Sequence, residues 1–387
     1  MPSFSIPPKE GKGAALKKFR AIEGLRGWLA WTVVLAHLAY CSGFSSGALG
    51  SHVRSLGPPA VLVFLIVSGF VITHVVIEKA EPYPVYIIQR FARLFPLFAA
   101  TCFFGFFTND LLAISLAAPG FSDSEFARVV NGVAASNHKY FWSHVLAHLT
   151  MLHGAISNAA LPYSEYAFNM PAWSISLEWQ FYLVAPLIIC IIRNELLIPL
   201  LAIAVAICEF WFRSFVGTAQ PGALPLAASY FVVGIVSRFT YPYAEGHNWL
   251  VPAVALAIVL FPLRNELRPF LIWLIVFFGL PRKCHERPGL AGNIYSCALM
   301  SPVAQYFGSR SYSIFLCHYP VISAIVWLLF SYSGTAPGML LLSCLSIPAT
   351  IIVSELTYRY IELPGIKMGK RAAAWMQPQI TSGVASQ

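Results

Sequence analysis

Arg26 and His37 are the residues in this sequence whose types and spacing most plainly invite chemistry. They stand eleven positions apart in the run FRAIEGLRGWLAWTVVLAHLAY, residues 19–40. Eleven residues make three helical turns, so on one helix both project from nearly the same face, about 16 Å apart along the axis. A charged side chain at membrane depth costs about 2.5–3.5 kcal/mol on insertion scales and needs a reason to be there. A guanidinium binds anions, and an imidazole, with a reference pKa of about 6.5, takes and returns protons near neutrality. Glu23, three residues before Arg26, can pair with it on the same face. The plainer alternative has Arg26 snorkelling to the interface and His37 satisfying a contact between helices.

Other segments carry residues of the same kind. FLIVSGFVIT (64–73) places Ser68 and Gly69 in the middle of an apolar run, which suits either close helix packing or a thin place in the wall where a slender ligand passes. QRFARLFP (89–96) is read as the loop before the next span, with Arg90 and Arg93 three apart. Two forked guanidiniums suit a phosphate-rich ligand, and basic loops also simply mark the inner side of a membrane. PAWSISLEWQFYLVAP (171–186) puts Glu178 near the outer end of a span, among Trp173, Ser174 and Tyr182. The aromatics fit an interface belt, while a carboxylate there must be solvated, paired or protonated. FGSRSYSIFLCHYP (307–320) sets Ser311, Tyr312 and His318 in order, and ELTYRYIELP (355–364) ends the last span with Glu355, Arg359 and Glu362. Glu355 and Arg359 have the i, i+4 spacing of a structural ion pair. His144 and His148 also have i, i+4 spacing, but no carboxylate stands in register and no metal site is expected.

The elements that must position these groups are membrane helices. The chain has 387 residues, 58% of them hydrophobic and 11% charged, against about 25% charged in a soluble domain. Ten stretches have the character of spans, near 24–42, 59–77, 93–114, 174–192, 195–215, 224–240, 248–263, 268–281, 311–332 and 338–357. Segment 141–157 reads as a re-entrant or interfacial helix. With the N-terminus inside, nineteen of the 25 lysines and arginines fall on the inner side and six on the outer. The expectation is an all-α, polytopic transmembrane helical bundle of about ten spans with both termini cytoplasmic. Residues 1–21 would be a flexible arm, 22–364 one membrane domain and 365–387 a short tail. The net charge of +9 then belongs to topology and not to nucleic acid. No cleavable signal peptide is expected, because the basic arm leads into a full span. The eight scattered cysteines form no C-x-x-C pair and no disulfide framework.

Taken together, EGLRGWLAWTVVLAH, FLIVSGFVI, RFARLFP, WSISLEWQFYL, SYSIFLCHYPVI and YIELP resemble the acyltransferase-3 family of integral membrane O-acyltransferases. The segments occur in the family's order and span residues 20–364. Two departures stand out. Glu23 occupies a position where aspartate is common, and Trp179 stands where a second acidic residue often follows Glu178, which puts a paired-carboxylate role there in doubt. No hydrolase-like domain of the kind some members carry is expected after residue 364.

The resemblance implies transfer of an acyl group from acyl-CoA to a hydroxyl, usually on a carbohydrate. Family members modify lipopolysaccharide, exopolysaccharide, peptidoglycan, nodulation signals or macrolide antibiotics. The expected co-substrate is acyl-CoA, in the first instance acetyl-CoA, with no permanently bound cofactor. On this reading Arg90 and Arg93, with Arg26, bind the coenzyme A phosphates at a cytoplasmic mouth, and the pantetheine arm passes Ser68 and Gly69. His37 acts as general base or as a transient acyl carrier. Glu178 orients His37 or the acceptor, while Glu23, Trp173, Ser174, Tyr312 and His318 support the site or bind the acceptor. The partners are the lipid bilayer and a carbohydrate, glycolipid or glycosylated small-molecule acceptor, at a bacterial plasma membrane. Three rival readings exist: a proton-coupled transporter using the same buried charges, a macrolide or small-molecule acyltransferase acting from the cytoplasmic side, and a membrane scaffold. No internal repeat of the transporter kind is visible.

Overall fold

Prolines and glycines punctuate this chain into helices, and among the described residues every regular element is helical. The computed structural model describes residues 19–42, 47–117, 125–192, 198–215, 222–246, 249–260, 267–280 and 290–385. The helices in chain order are α1 (Arg20–Tyr40), α2 (Ala48–Arg54), α3 (Gly57–Lys79), α4 (Tyr83–Leu116), α5 (Glu125–Lys139) and α6 (Phe141–Leu149). They continue as α7 (Trp173–Ile192), α8 (Ile198–Phe215), α9 (Leu224–Glu245), α10 (Leu250–Leu260) and α11 (Leu267–Gly279). The last five are α12 (Leu290–Met300), α13 (Pro302–Ser309), α14 (Ser311–Ser333), α15 (Met339–Thr357) and α16 (Leu363–Ala385). A π-helical turn, Tyr358–Glu362, joins α15 to α16.

The starts and stops have local causes. Prolines sit in the first turn of α3, α4, α9 and α13, where their missing N–H would have had no helical partner. α14 stops at Gly334, whose φ of +66° is the left-handed conformation that glycine adopts without strain. Prolines inside α4, α7, α14 and α15 are of the kind membrane helices accommodate.

Each of the ten expected spans falls on a helix in its described residues; residues 195–197, 248, 261–263 and 281 of three of them lie outside the described residues. Among the described residues, six helical stretches are long and apolar enough to cross a bilayer: Ala48–Lys79, Tyr83–Leu116, Met170–Ile192, Leu224–Glu245, Ser311–Ser333 and Met339–Gln377. α1 is 21 residues long, but Glu23, Arg26 and His37 dilute its apolar character, and it is not among the six. α6 has nine residues, about 14 Å of helix, too short to cross a hydrocarbon core of about 30 Å by itself.

Three boundaries differ from the sequence expectation. QRFARLFP is not a loop before the third span but part of α4, a helix of 34 residues. Pro82 and Pro84 start that helix early, and Gln and Arg are good helix formers that do nothing to interrupt it. The expected tail is helical through Ala385, and α16 lies along α4, where a Cβ at Gly365 would meet the Ala92 carbonyl and the Pro96 ring. The expected arm ends at the start of α1, since Arg20 and Ala21 are helical, and residues 1–18 lie outside the described residues.

Close backbone approach holds the bundle's centre. Gly69 of α3 abuts the Phe231 carbonyl of α9, and Gly234 of α9 abuts the Ile66 carbonyl of α3, so any side chain at either would force the pair apart. Gly308 of α13 meets the Glu23 backbone of α1 in the same way. These contacts fix α1, α3 and α9 around one large apolar core, with a second cluster between α1 and α14.

Candidate functional site

Five helices, α1, α3, α4, α7 and α14, line one cavity of about 60 Å³. α1 contributes Arg26 and α3 Ser68. α4 contributes Arg90 and Arg93, three apart and therefore on one face. Ser174, Glu178 and Tyr182, each four residues from the next on α7, form a second polar face, and Tyr312 comes from α14. Nine residues named in the sequence (Arg26, Ser68, Arg90, Arg93, Ser174, Glu178, Tyr182, Ser311 and Tyr312) thus meet in one place, although they span nearly 290 positions.

The charges in this cavity are unequal and unpaired. Among the described residues, none of the three guanidiniums makes a hydrogen bond or an ion pair. Arg90 is 9% exposed, its Nε has no partner, and its guanidinium lies 5.8 Å from the Tyr86 ring centre. The groups acting electrostatically on Arg26 are Arg93, Glu178, Tyr182 and Glu362, and Glu178 and Glu362 also act on Arg93. Two carboxylates against three guanidiniums leave an excess positive charge. Each carboxylate is held by hydroxyls instead of by arginine. Ser68 Oγ donates to Glu178 Oε1 at 3.3 Å, and Tyr182 donates to the same oxygen. Ser313 Oγ donates to Glu362 Oε2 at 2.7 Å. Tyr312 donates to the Leu94 carbonyl at 2.7 Å and ties α14 to α4 beside the arginines. Buried guanidiniums left without partners are costly, and an anion with several acceptor oxygens relieves that cost for all three together.

His37 lies three turns further along α1 and is paired with His318 of α14. His318 Nε2 and His37 Nδ1 are 3.2 Å apart. His318 Nδ1 faces the Ile314 carbonyl at 3.1 Å, and His37 Nδ1 also faces the Val33 carbonyl at 3.1 Å. The bond network assigns the tautomers. A carbonyl only accepts, so His318 carries its proton on Nδ1 and its Nε2 accepts. His37 then donates from Nδ1, and its Nε2 is the bare, basic nitrogen. No described residue hydrogen-bonds that nitrogen. His318 is fully buried, and the Tyr319 ring meets His37 edge-on at 5.5 Å.

This geometry rearranges some expected roles. Glu178 lines the arginine cavity and is held by Ser68 and Tyr182, while the side chain beside His37 is His318. Gly69 does not line the cavity: the absence of a side chain there serves the contact with α9, while Ser68 faces the cavity. Trp173 packs at the edge of the core as the first residue of α7. Glu23 makes no ion pair with Arg26, because its segment of α1 is pressed against Gly308 of α13. His144 and His148 do not form a ligand set. His144 Nε2 meets Ser136 Oγ at 3.0 Å, and the two nitrogens of His148 face the carbonyls of His144 and Ala167.

Sequence reasoning named Tyr182 and Glu362 but gave neither a place in the site. Tyr182 had a signal, since it stands four residues after Glu178 on one helix. Glu362 had a weaker one, a carboxylate in the closing YIELP segment whose partners lie on distant helices.

A family model described as an acyltransferase domain matches residues 19–359. The chain is 27% identical over 177 residues to the acyltransferase MdmB of Streptomyces mycarofaciens, an alignment covering 45% of this chain and 40% of that protein. It is 23% identical over 396 residues to the peptidoglycan O-acetyltransferase OatA of Listeria monocytogenes, covering 90% of this chain and 56% of that protein. A Staphylococcus aureus (strain COL) protein with a provisional O-acetyltransferase name is 23% identical over 400 residues, covering 93% of this chain and 59% of the relative. The chain therefore spans less than two thirds of the length of these relatives. No solved structure matches.

Proposed function

The chain belongs to the acyltransferase-3 family of membrane acyltransferases, and on that premise we propose that it moves an acyl group, in the first instance acetyl, from acyl-CoA to a hydroxyl of a carbohydrate or glycosylated acceptor. The observation that carries the reading is the pairing of two features. One is a cavity with three unpaired guanidiniums. The other is a histidine on the same helix face whose Nε2 is free.

Coenzyme A enters from the cytoplasmic side of a multi-pass membrane domain. Its phosphates take the guanidiniums of Arg26, Arg90 and Arg93, whose planar forks match phosphate oxygens better than an ammonium does. The pantetheine arm runs along the face of α1 between Arg26 and His37 and brings the thioester to the histidine pair. The acceptor hydroxyl is too weakly acidic to attack unaided. His37 Nε2 takes its proton as the oxygen bonds to the thioester carbon. The carbon–sulfur bond then breaks, and the thiolate recovers the proton from His37, leaving ester and free CoA. His318 accepts the His37 Nδ1–H throughout and holds the ring in the tautomer that leaves Nε2 basic. General-base help of this kind contributes about 10²–10⁴-fold in rate.

The test compares glycans and secreted metabolites, by mass spectrometry, from cells with the protein, without it, and with His37→Ala. An acyl-sized mass difference present only with the intact protein is expected, and it names the acceptor. A membrane-inserted His37→Ala protein that acylates at the full rate would remove His37 from the mechanism. No mass difference in any fraction would remove the acyl-transfer reading.

A further inference from the structure

Another guanidinium without an acid partner stands beyond His37, at the end of α1 away from the arginine cavity. Arg54 closes α2 and is half-buried. Its guanidinium carbon lies 5.2 Å from the ring centre of Tyr40, the last residue of α1. The Tyr40 ring centre is in turn 6.2 Å from that of His37, so one side chain neighbours both the guanidinium and the histidine. Phe126 of α5 packs on Tyr40 with ring centres 5.3 Å apart. Glu165 and Tyr40 both act electrostatically on Tyr166, in the segment between α6 and α7. Among the described residues Arg54 makes no hydrogen bond and no ion pair, and its Nε is buried without a partner. Glu165, the acid of this region, is 1% exposed and takes a hydrogen bond from Asn158 Nδ2 at 3.2 Å instead. His37 is half-buried here, whereas His318 behind it is closed off.

From this placement we infer that Arg54 binds an anionic group, carboxylate or phosphate, on the acceptor, and that the acceptor is therefore an acidic carbohydrate. The inference rests on the acyl-transfer reading. A donor whose phosphates sit at Arg26, Arg90 and Arg93 reaches His37 from the N-terminal end of the α1 face. The acceptor hydroxyl must meet His37 Nε2 as well, and the approach left to it is the C-terminal end, where Tyr40, Phe126, Tyr166 and Arg54 stand. A tyrosine offers a sugar an apolar ring face and a hydroxyl together. The contact with Tyr40 attracts the charge of Arg54 but uses none of its N–H groups as a hydrogen bond would, so the fork remains for a ligand. A neutral hydroxyl accepts one such bond and leaves the charge. A carboxylate or phosphate accepts two side by side and cancels it.

The experiment first reads the product. The acylated glycan found only in cells producing the full chain is fragmented by tandem mass spectrometry. The acyl group is expected on a sugar that carries a carboxylate or a phosphate, or on its direct neighbour, and the fragment masses tell the two anions apart. A neutral acylated glycan overturns the inference and leaves acyl transfer standing. No acylated product in any fraction overturns the acyl-transfer reading itself. The full chain in nanodiscs, open on both faces, then receives acetyl-CoA and the same glycan prepared from cells lacking the protein. Arg54→Gln should raise the KM for the glycan about 10-fold or more and leave the KM for acetyl-CoA within about 2-fold. Arg54→Lys should show a smaller rise, as a point charge without the fork, and replaces Arg54→Gln if that variant is missing from the membrane. An unchanged glycan KM in the inserted variants, or a loss that appears in the KM for acetyl-CoA instead, overturns the inference.

Discussion

Two groups of arginines in this protein look alike in sequence and differ in what surrounds them. Arg310 at the start of α14 and Arg359 in the π-helical turn share one carboxylate, Glu355 of α15. Both donate to it through Nε, Arg310 donates again through a terminal nitrogen at 3.3 Å, and Tyr306 adds a fourth hydrogen bond at 2.9 Å. The Arg310 guanidinium also lies 4.0 Å from the Tyr306 ring centre and 4.7 Å from that of Tyr358. All three nitrogens of Arg310 are used, two on Glu355 and one on Ser309 Oγ, and both oxygens of Glu355 are filled. Arg26, Arg90 and Arg93 also have carboxylates nearby, but Glu178 and Glu362 are engaged by serine and tyrosine hydroxyls instead. The difference teaches that a carboxylate near an arginine does not by itself make a structural pair. Hydroxyls can hold the acid aside, so that the guanidiniums keep their donors for a ligand.

The largest effect should come from the unfinished group. Arg93→Gln removes a forked donor and a charge from the cavity. A hydrogen bond to a charged group is worth about 1.5–3 kcal/mol, so kcat/KM for acyl-CoA should fall about 10–100-fold. On the proposed function most of the loss should appear in KM, because the donor's phosphates would bind without reacting. Arg93→Lys should recover part of it, as a point charge without the fork. Arg310→Gln should leave the donor KM within about 2-fold, since its guanidinium is spent on Glu355. Equal changes in donor KM from the two positions would break the contrast.

How much of this was readable beforehand follows from the same contrast. Buried charge is conspicuous in a chain so apolar, and helical spacing tells which charges share a face. That was enough to single out Arg26, Arg90, Arg93, Ser68 and Glu178, and to pair Glu355 with Arg359. Spacing does not reveal which face meets which. The hydrogen-bond neighbour of His37 is 281 positions away, so spacing gives no sign that His318, and not Glu178, stands beside it. Arg310 stands 45 positions from Glu355, and the same blindness hid its claim on that carboxylate. Glycines were ambiguous for a related reason: Gly69 permits close approach of either a ligand or a helix, and the partner, α9, lies far along the chain.

A smaller effect, on stability and not on turnover, is expected at the finished group. Glu355→Gln keeps the shape but leaves Arg310 and Arg359 facing each other without their shared charge. Removing one partner of a partly buried network should lower stability by about 1–3 kcal/mol, read as a lower thermal unfolding midpoint in nanodiscs. Ser68→Ala offers the complementary test, because it releases one of the hydroxyls that hold Glu178. If Glu178 then pairs with an arginine, the donor KM should rise while the unfolding midpoint holds or increases.

The smallest effect should belong to Arg359. Its side chain is 64% exposed, whereas those of Arg310 and Glu355 are 17% and 18% exposed. It also pairs with Glu355 at i, i+4, a contact that solvent screens and that contributes about 0.3–0.5 kcal/mol on a helix surface. Arg359→Ala should therefore shift the unfolding midpoint far less than Glu355→Gln and leave the donor KM alone. The reason lies in what remains: Arg310 still fills Glu355 from the buried side, backed by two tyrosine rings. A loss from Arg359→Ala as large as that from Glu355→Gln would show that the exposed arginine carries the cluster. Burial would then not be what separates a finished group of charges from one kept open for a ligand.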